Sequence, residues 1–395
     1  MGTTAIVLAG AGARGAYEAG VLSVLVPRLL EERGDRIVLV GTSAGAINTA
    51  ILAAFESPEQ AVTEMTDLWR SVEVGNVFGP ILASAPQTVV HYLADVLHFR
   101  GRLNSLLDSR PLGSTMEKRL DWDQLDRNLR GTGWVDTAGI VATSCARGRC
   151  MVFLQGSNLV VPPRDESTGI DYAATKLGSQ HVMASAAIPV AFRPVHVDGP
   201  EELRGWYVDG GIKLNAPIKP ALSLGADRVV VVATTPDPFG PHASPVSPDE
   251  PDIFDASTVV MHALLVDRMA DDIRALRRIN ALVPTGTAAA PSGHRLIPNL
   301  YLGPPAPGLI SQTANRVFSS RYAGVHRPLS NLRMLGRLLG GTRESHGELL
   351  SFLFFDEEFH DALIELGRTH ATQTLGPPGS PFPWDTAAKT SAPNS

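Results

Sequence analysis

The chain has 395 residues, of which 44% are hydrophobic and 19% charged, and its 34 basic and 40 acidic side chains give a formal net charge of −6. This composition is that of a globular protein long enough to bury a sizeable core in one large domain or two smaller ones. No basic run stands out, which argues against nucleic acid as a partner.

The first predicted elements are a strand, a loop and a helix, because an apolar run at residues 5–9 is followed by glycines and then by amphipathic spacing over residues 16–32. The loop consists of Gly10, Ala11, Gly12, Ala13, Arg14 and Gly15. Backbone N–H groups at the start of a helix have no partners within it and attract negative charge. This G-x-G-x-x-G loop therefore fits either the pyrophosphate of a dinucleotide or the oxyanion of an acyl-transfer reaction.

The second predicted strand, at residues 37–40, ends in a G-x-S-x-G turn formed by Gly41, Thr42, Ser43, Ala44 and Gly45. This pattern places a serine on a sharp turn between a strand and a helix, where the small neighbours expose its hydroxyl. A dinucleotide-binding fold would instead carry an acidic residue at this strand end, whereas Asp35 precedes the strand. We therefore favour the oxyanion interpretation, with Ser43 as the nucleophile and both loops at the same edge of a parallel sheet.

Later strands are predicted at residues 139–143, 151–154, 206–208 and 228–233, and helices at about 44–54, 58–70, 114–130, 170–187 and 217–224. This alternation indicates an α/β fold with a sheet that is at least partly parallel. Residues 74–94 contain no Asp, Glu, Lys or Arg, but their prolines and polar side chains exclude a membrane-spanning helix. We expect this segment to fold near the active site. A peripheral contact with a membrane is a further interpretation of it.

A base for Ser43 is offered by Asp209, which ends the strand at 206–208 and is followed by Gly210 and Gly211. An Asp-Gly pair is most often a plain turn, but beside the other two motifs a catalytic role becomes the stronger interpretation. A carboxylate can deprotonate a serine if a dry site raises its pKa. A triad with histidine is the alternative, although none of the 11 histidines lies in a motif that would bring it to this edge.

The C-terminal part begins with a Pro-rich stretch, residues 235–251, which we interpret as a surface loop, a lid or a subdomain boundary. Helices are predicted at 255–283, 316–339 and 351–366, with a Gly/Pro-rich stretch at 285–309 between the first two. From about residue 372 the apolar pattern is too weak for packing, which predicts a disordered tail. No basic region precedes the first apolar run, so we expect no signal peptide and a cytoplasmic location.

Taken together, the glycine loop with its arginine, the G-T-S-A-G turn and the D-G-G turn resemble the patatin-like phospholipase family. The flanking sequences ASAAIPVAF at 184–192 and NAPIKPALSLGADRVVVV at 215–232 strengthen the resemblance. It is specific over residues 3–235 and looser to about 371. The resemblance implies a three-layer α/β/α fold with a central, mostly parallel sheet, and a dyad of Ser43 and Asp209 with residues 10–15 as the oxyanion loop.

One departure from the family pattern lies in the oxyanion loop, where three consecutive glycines are usual and Ala11 replaces the second. Alanine can still donate its N–H but resists a positive φ. Arg14 is also unusual, because a cation near a helix N-terminus opposes the helix dipole. We expect Arg14 to pair with Glu18 or with another core carboxylate, and the alternative is that it holds the loop or a lipid phosphate.

The predicted organisation is a catalytic core at 3–235, a Pro-rich loop at 236–254, a helical extension at 255–371 packed on the core, and a tail at 372–395. The predicted function is that of a lipid acyl hydrolase acting on phospholipids or lysophospholipids. The alternatives are an acyltransferase, a non-lipid carboxylesterase, or a lipid-binding module that is inactive or activated by a partner. We expect neither a metal ion nor a cofactor, since Cys145 and Cys150 make a poor zinc site.

Overall fold

The computed structural model describes residues 2–31, 36–77, 110–189, 191–238, 258–260, 267–283, 295–322 and 344–385. In these residues one sheet is formed by nine strands. The strands are β1 (Thr3–Leu8), β2 (Arg36–Thr42), β3 (Thr137–Ser144), β4 (Cys150–Gly156), β5 (Ile170–Ala174), β6 (Val195–Val197), β7 (Gly205–Asp209), β8 (Arg228–Val232) and β9 (Asn299–Leu302).

The sheet is mostly parallel, with the strand order β5-β4-β3-β2-β1-β8-β9. The five strands β3, β2, β1, β8 and β9 run in the same direction, whereas β4 is antiparallel to β3. Strand β7 pairs antiparallel with the last residues of β3, where Asp209 lies opposite Ala142. Leu8 at the end of β1 lies opposite Gly41 near the end of β2. The loops after β1 and β2 and the turn after β7 therefore meet at one edge, as the sequence predicted.

The described helices are α1 (Gly15–Glu31), α2 (Ala44–Ala54), α3 (Pro58–Ser71), α4 (Val74–Val77), α5 (Arg110–Arg119), α6 (Trp122–Arg127), α7 (Ser179–Ser185), α8 (Ile218–Ser223), α9 (Asp267–Ala281), α10 (Leu309–Tyr322), α11 (Glu344–Leu353) and α12 (Glu357–Leu375). Two apolar cores lie on the two faces of the sheet. Ile6 and Leu8 pack with α1, α2, α3 and α12, and Ala5 and Val7 pack with α8 and α9. The three-layer α/β/α architecture is therefore confirmed.

The C-terminal helix α12 packs closely against α1, and two glycines permit the approach. A Cβ on Gly20 of α1 would lie 2.1 Å from the carbonyl oxygen of Ile364, and a Cβ on Gly367 of α12 would lie 2.3 Å from that of Tyr17. The hydroxyl of Tyr17 also lies 3.0 Å from Nδ1 of His370. The C-terminal helix thus shares the core of the first βα unit.

Three predictions of secondary structure are wrong. Residues 170–174, predicted as helix, form β5 because they pair with β4, and the helix is limited to α7. The stretch at 285–309 contains a strand, β9, whose pairing with β8 overrides its Gly/Pro-rich surroundings. Residues 372–385 are not an unpacked tail: α12 continues to Leu375, Phe382 is buried, and Asp385 pairs with Asn299.

Several other predictions fall partly outside the described residues. Of the uncharged segment at 74–94 only α4 is described, and the Pro-rich stretch is described only to residue 238. Of the helices predicted at 255–283 and 316–339, the structure describes α9 and α10, and α10 begins earlier than expected. Among the helices within the described ranges, none is both long enough and apolar enough to cross a bilayer.

Candidate active site

Ser43 occupies a strained turn between β2 and α2. Its backbone has a φ of 56° and a ψ of −120°. Within the described residues, Ser43 is the one non-glycine residue with a positive φ. A conformation of this kind costs about 1–3 kcal/mol and persists only where its surroundings enforce it. A Cβ on Gly41 would lie 2.2 Å from the carbonyl oxygen of Gly45, and a Cβ on Gly45 would lie 2.4 Å from that of Leu8. The G-x-S-x-G pattern is thus explained by close backbone contacts on both sides of Ser43.

The backbone of Ser43 is held by a residue that the sequence did not single out. The N–H of Ser43 donates to Oγ of Ser185 at 2.8 Å, and the Ser185 hydroxyl donates to the carbonyl oxygen of Val141 at 2.6 Å. Ser185 lies fully buried at the end of α7. The strained turn is therefore tied to β3 through one side chain. Thr42 adds a second tie, since its hydroxyl donates to the carbonyl oxygen of Leu214 at 3.0 Å.

Asp209 lies directly beside Ser43 and is only 4% exposed. Burial raises the pKa of its carboxyl from 3.8 to about 6, while hydrogen bonds donated by the Ser43 hydroxyl and by the N–H of Gly211 lower it. The bond from Gly211 measures 2.7 Å. A Cβ on Gly210 would lie 2.5 Å from the carbonyl oxygen of Val141, so the D-G-G turn needs a glycine there. The structure thus places Ser43 and Asp209 side by side.

The glycine loop after β1 contacts the same site, although its first glycine differs from expectation. The N–H of Gly10 donates to Oδ1 of Asn215 at 3.0 Å, so it is engaged within the protein rather than directed at a ligand. Gly10 instead provides close approach, because a Cβ there would lie 3.2 Å from Cβ of Ser43 and 2.3 Å from Oδ1 of Asn215. Gly15 also permits a close approach, because a Cβ on Gly15 would lie 2.4 Å from the ring of Trp69.

The substitution of alanine in this loop is accommodated by the backbone. Ala11 has a φ of −144°, which alanine adopts freely, and the positive φ of 56° falls on Gly12. Residues Gly12–Arg14 then form one turn of 3-10 helix that leads into α1. The first N–H groups of a helical segment have no acceptor within it. Gly12 and Ala13 therefore carry N–H groups that have no acceptor within this turn.

Arg14 pairs with a carboxylate from the far end of the chain and not with Glu18. Its guanidinium is 2.7 Å from Oε1 of Glu348 in α11 and is 1% exposed. Arg14 was expected to pair either with Glu18 or with another core carboxylate, and the second of these expectations is the correct one. Glu18 is fully buried and accepts a hydrogen bond from Nδ2 of Asn48 at 3.0 Å. Burial raises the pKa of its carboxyl well above the usual value.

An apolar cleft opens beside Ser43. Its empty volume is about 620 Å³, part of which is open to solvent. The residues around it are Gly12, Ser43, Ala44, Ile47, Leu68, Trp69, Val72, Val77, Leu112, Thr115, Met116, Ala186, Ile188, Phe192, Phe352, Leu353 and Phe355. Trp69 is fixed in this wall because its indole N–H donates to Oδ1 of Asn48 at 2.7 Å. Ser43 thus lies in the wall of a site suited to an apolar ligand.

A family model described as patatin-like phospholipase matches residues 6–222, which is more than half of the chain. The chain belongs to the patatin-like phospholipase family. Membership of this family supports lipid acyl hydrolysis as the activity. The match ends before α9 and the helices that follow it, so the family pattern covers Ser43 and Asp209 but not Glu348.

Among solved structures, the patatin-like chain is similar to VipD from Legionella pneumophila, with 14% identity, a TM-score of 0.35, and coverage of 93% of this chain and 67% of VipD. It is also similar to human GIVD cytosolic phospholipase A2, with 10% identity, a TM-score of 0.42, and coverage of 94% of this chain and 58% of that enzyme. The chain therefore spans less than two thirds of the human enzyme. No curated protein sequence gives a significant match.

Two residues of this patatin-like site were missed by the reasoning from sequence. Ser185 and Asn215 lie in the two flanking segments that carried part of the family resemblance, but no role was given to either. A serine beside alanines and an asparagine two residues before a proline have no chemical signature of their own. Their roles follow only from the sheet, which brings them to the backbone N–H groups of Ser43 and Gly10.

Proposed function

We propose that this patatin-like protein is a lipid acyl hydrolase that cleaves carboxylic esters through a dyad of Ser43 and Asp209. The observation that carries the proposal is the buried carboxylate of Asp209, whose pKa is raised by burial and lowered by the neighbouring hydroxyl of Ser43, a residue that lines an apolar cleft. A buried base with a raised pKa, in contact with a serine on a strained turn, is the arrangement that nucleophilic catalysis requires.

In the proposed reaction, Asp209 takes the proton of the Ser43 hydroxyl as Oγ attacks the ester carbonyl. The negative charge that develops on the carbonyl oxygen is stabilised by N–H groups of the glycine loop, with Gly12 and Ala13 as the candidates. Asp209 then returns the proton to the leaving alcohol, which gives an acyl-enzyme on Ser43. Water, deprotonated by Asp209, attacks the acyl-enzyme, and Asp209 passes that proton to the departing Oγ of Ser43 as the fatty acid is released. Loss of one oxyanion donor typically slows such reactions by about 10² to 10³.

The proposed substrates are phospholipids or lysophospholipids, because the apolar lining of the cleft suits an acyl chain. Val72, Val77 and Phe355 are among the apolar residues of this lining. A small polar ester would leave most of this surface without a partner. We expect the protein to act in the cytoplasm and to meet its substrates through peripheral contact with a membrane.

The test is the release of fatty acid from phosphatidylcholine with two different acyl chains, and from lysophosphatidylcholine. The wild-type protein should release fatty acid, and Ser43→Ala and Asp209→Asn should each abolish the release. The matched control is Ser157→Ala, which removes the hydroxyl of an exposed serine in the turn after β4. Equal release from wild type and Ser43→Ala would contradict the proposal. Transfer of the acyl group to an added alcohol, with little free fatty acid, would favour an acyltransferase instead.

A further inference from the structure

The oxyanion loop is attached to helix α11 through the side chain of Arg14. The Nε and Nη2 atoms of Arg14 donate to Oγ of Ser351 at 2.8 and 2.6 Å, and Nη2 also donates to the carbonyl oxygen of Glu348 at 3.0 Å. The ion pair with the Glu348 carboxylate completes the set. The guanidinium carbon stands 3.8 Å from the centre of the Phe352 ring. Three residues within one turn of α11 thus hold one buried arginine.

The backbone of the loop is shaped against the same turn of α11. Gly12, at a φ of 56°, lies so close to α11 that a Cβ would come within 2.5 Å of the carbonyl oxygen of Phe352. Phe352 and Gly12 both line the cleft beside Ser43. The position of α11 therefore determines where the N–H groups around Gly12 point. A buried cation that lost its partners would not stay in place, because an unpaired buried charge is strongly unfavourable.

We propose that Ser351 and Glu348 are positioning residues for the oxyanion hole and act on catalysis through Arg14. This inference rests on the proposed function, since it assigns the loop to an oxyanion. It adds that the helix after the family-matched region is part of the catalytic unit. Arg14 is then a link between the loop and α11, and its charge is directed at Glu348 and Ser351 rather than at a lipid phosphate.

The test compares turnover per reactive serine in full-length variants. A fluorophosphonate probe, taken to the end point, measures the fraction of molecules with a reactive Ser43, and hydrolysis of a p-nitrophenyl ester gives kcat and KM for that fraction. Ser351→Ala removes the hydroxyl that receives two of the Arg14 contacts. The matched control is Ser311→Ala, because Ser311 is also a buried helical serine whose hydroxyl donates to the carbonyl oxygen three residues before it.

We expect Ser351→Ala to lower kcat per labelled site by about 10- to 100-fold with little change in KM, because small misplacements of catalytic groups have effects of this size. Ser311→Ala should stay within about twofold of wild type. In an Arg14→Met background, Ser351→Ala should lower kcat per labelled site by less than about a further twofold. The reason is that the effects of substitutions at residues that act through one partner are not additive. If Ser351→Ala does not fold, Glu348→Gln takes its place in the same comparison.

Two results would overturn the inference while leaving the proposed function intact. One is a kcat per labelled site in Ser351→Ala that equals that of Ser311→Ala. The other is a loss from Ser351→Ala that is undiminished in the Arg14→Met background. A merely structural role would lower the labelled fraction or the melting temperature but not turnover per labelled site. If wild type itself neither labels nor hydrolyses the ester, the proposed function fails and the inference fails with it.

Discussion

The pH dependence of turnover is expected to report the pKa of Asp209. The carboxyl must be ionised to accept the proton of Ser43, and burial raises its pKa from 3.8 to about 6. The value of kcat/KM should therefore be half-maximal near pH 6 and fall about tenfold for each further pH unit. At pH 5 about one tenth of the maximal rate should remain. A carboxyl at its ordinary pKa would still be about nine-tenths ionised there, so the two cases differ by nearly tenfold.

The assay is hydrolysis of an uncharged soluble ester between pH 4 and pH 8, because the ester itself then does not titrate. The pH dependence of kcat/KM reports the pKa values of the free enzyme, so its midpoint can be compared directly with the pKa of Asp209 in the ligand-free site. A histidine base would give a similar midpoint, so the profile is measured at two temperatures: the pKa of a carboxyl hardly changes on warming, whereas that of an imidazole falls. A midpoint at or below pH 5, or one that falls on warming as an imidazole pKa does, would refute the assignment to Asp209.

The same raised pKa has a consequence for stability. The folded state binds the Asp209 proton more tightly than the unfolded state does, so this group favours folding below about pH 4 and opposes it once pH has risen above about 6. The shift corresponds to about 3 kcal/mol. Asp209→Asn should therefore gain stability relative to wild type as pH rises from 4 to 7, measured by urea unfolding. A difference between the two proteins that does not change with pH would contradict this reasoning.

Other predictions concern the residues that shape the site. Ser185→Ala leaves the N–H of Ser43 without its acceptor, and we expect about a tenfold loss of kcat and a loss of stability of about 1–3 kcal/mol, measured by ester hydrolysis and urea unfolding. Gly12→Ala should destabilise the fold by about 1–3 kcal/mol and lower kcat, whereas Ala11→Gly should stay close to wild type, because only Gly12 has a positive φ. Ile47→Trp fills part of the cleft and should shift the preferred acyl chain of p-nitrophenyl esters to shorter lengths, with kcat for the acetate little changed. An unchanged chain-length preference would contradict the assignment of the cleft to the acyl group.

The motifs around Ser43 could be predicted because each depends on local geometry. Gly41 is required by a backbone contact within one strand, turn and helix, and Gly45 by a contact with the end of the neighbouring strand β1, and such contacts leave a signature at fixed spacing. Once β1 and β2 were taken as parallel, the loops after them had to meet at one edge. Asp209 was found from the D-G-G turn that it begins, and the antiparallel pairing of β7 with β3 brings it to that edge.

The elements that were missed depend on pairing and packing between distant segments. Residues 170–174 become a strand because β4 is available beside them, and β9 forms because β8 has a free edge. The partner of Arg14 is 334 residues away, so the nearby Glu18 was as reasonable a choice from sequence. Phe382 packs although its surroundings are rich in proline and glycine, because the guanidinium of Arg28 lies 5.7 Å from the centre of its ring. None of these contacts has a pattern that spacing alone can detect.

The attachment of the oxyanion loop to α11 also orders events during biosynthesis. Gly12 and Ser43 are made early, but Ser351 and Phe352 come much later in the chain. At about 5–20 residues per second, roughly 15 to 60 s of translation separate Ser43 from Ser351. During that interval the nascent chain carries Ser43, the proposed nucleophile, and later Asp209, while the helix that holds Arg14 does not yet exist. If the proposed function holds, the loop takes its final shape only after α11 has been made.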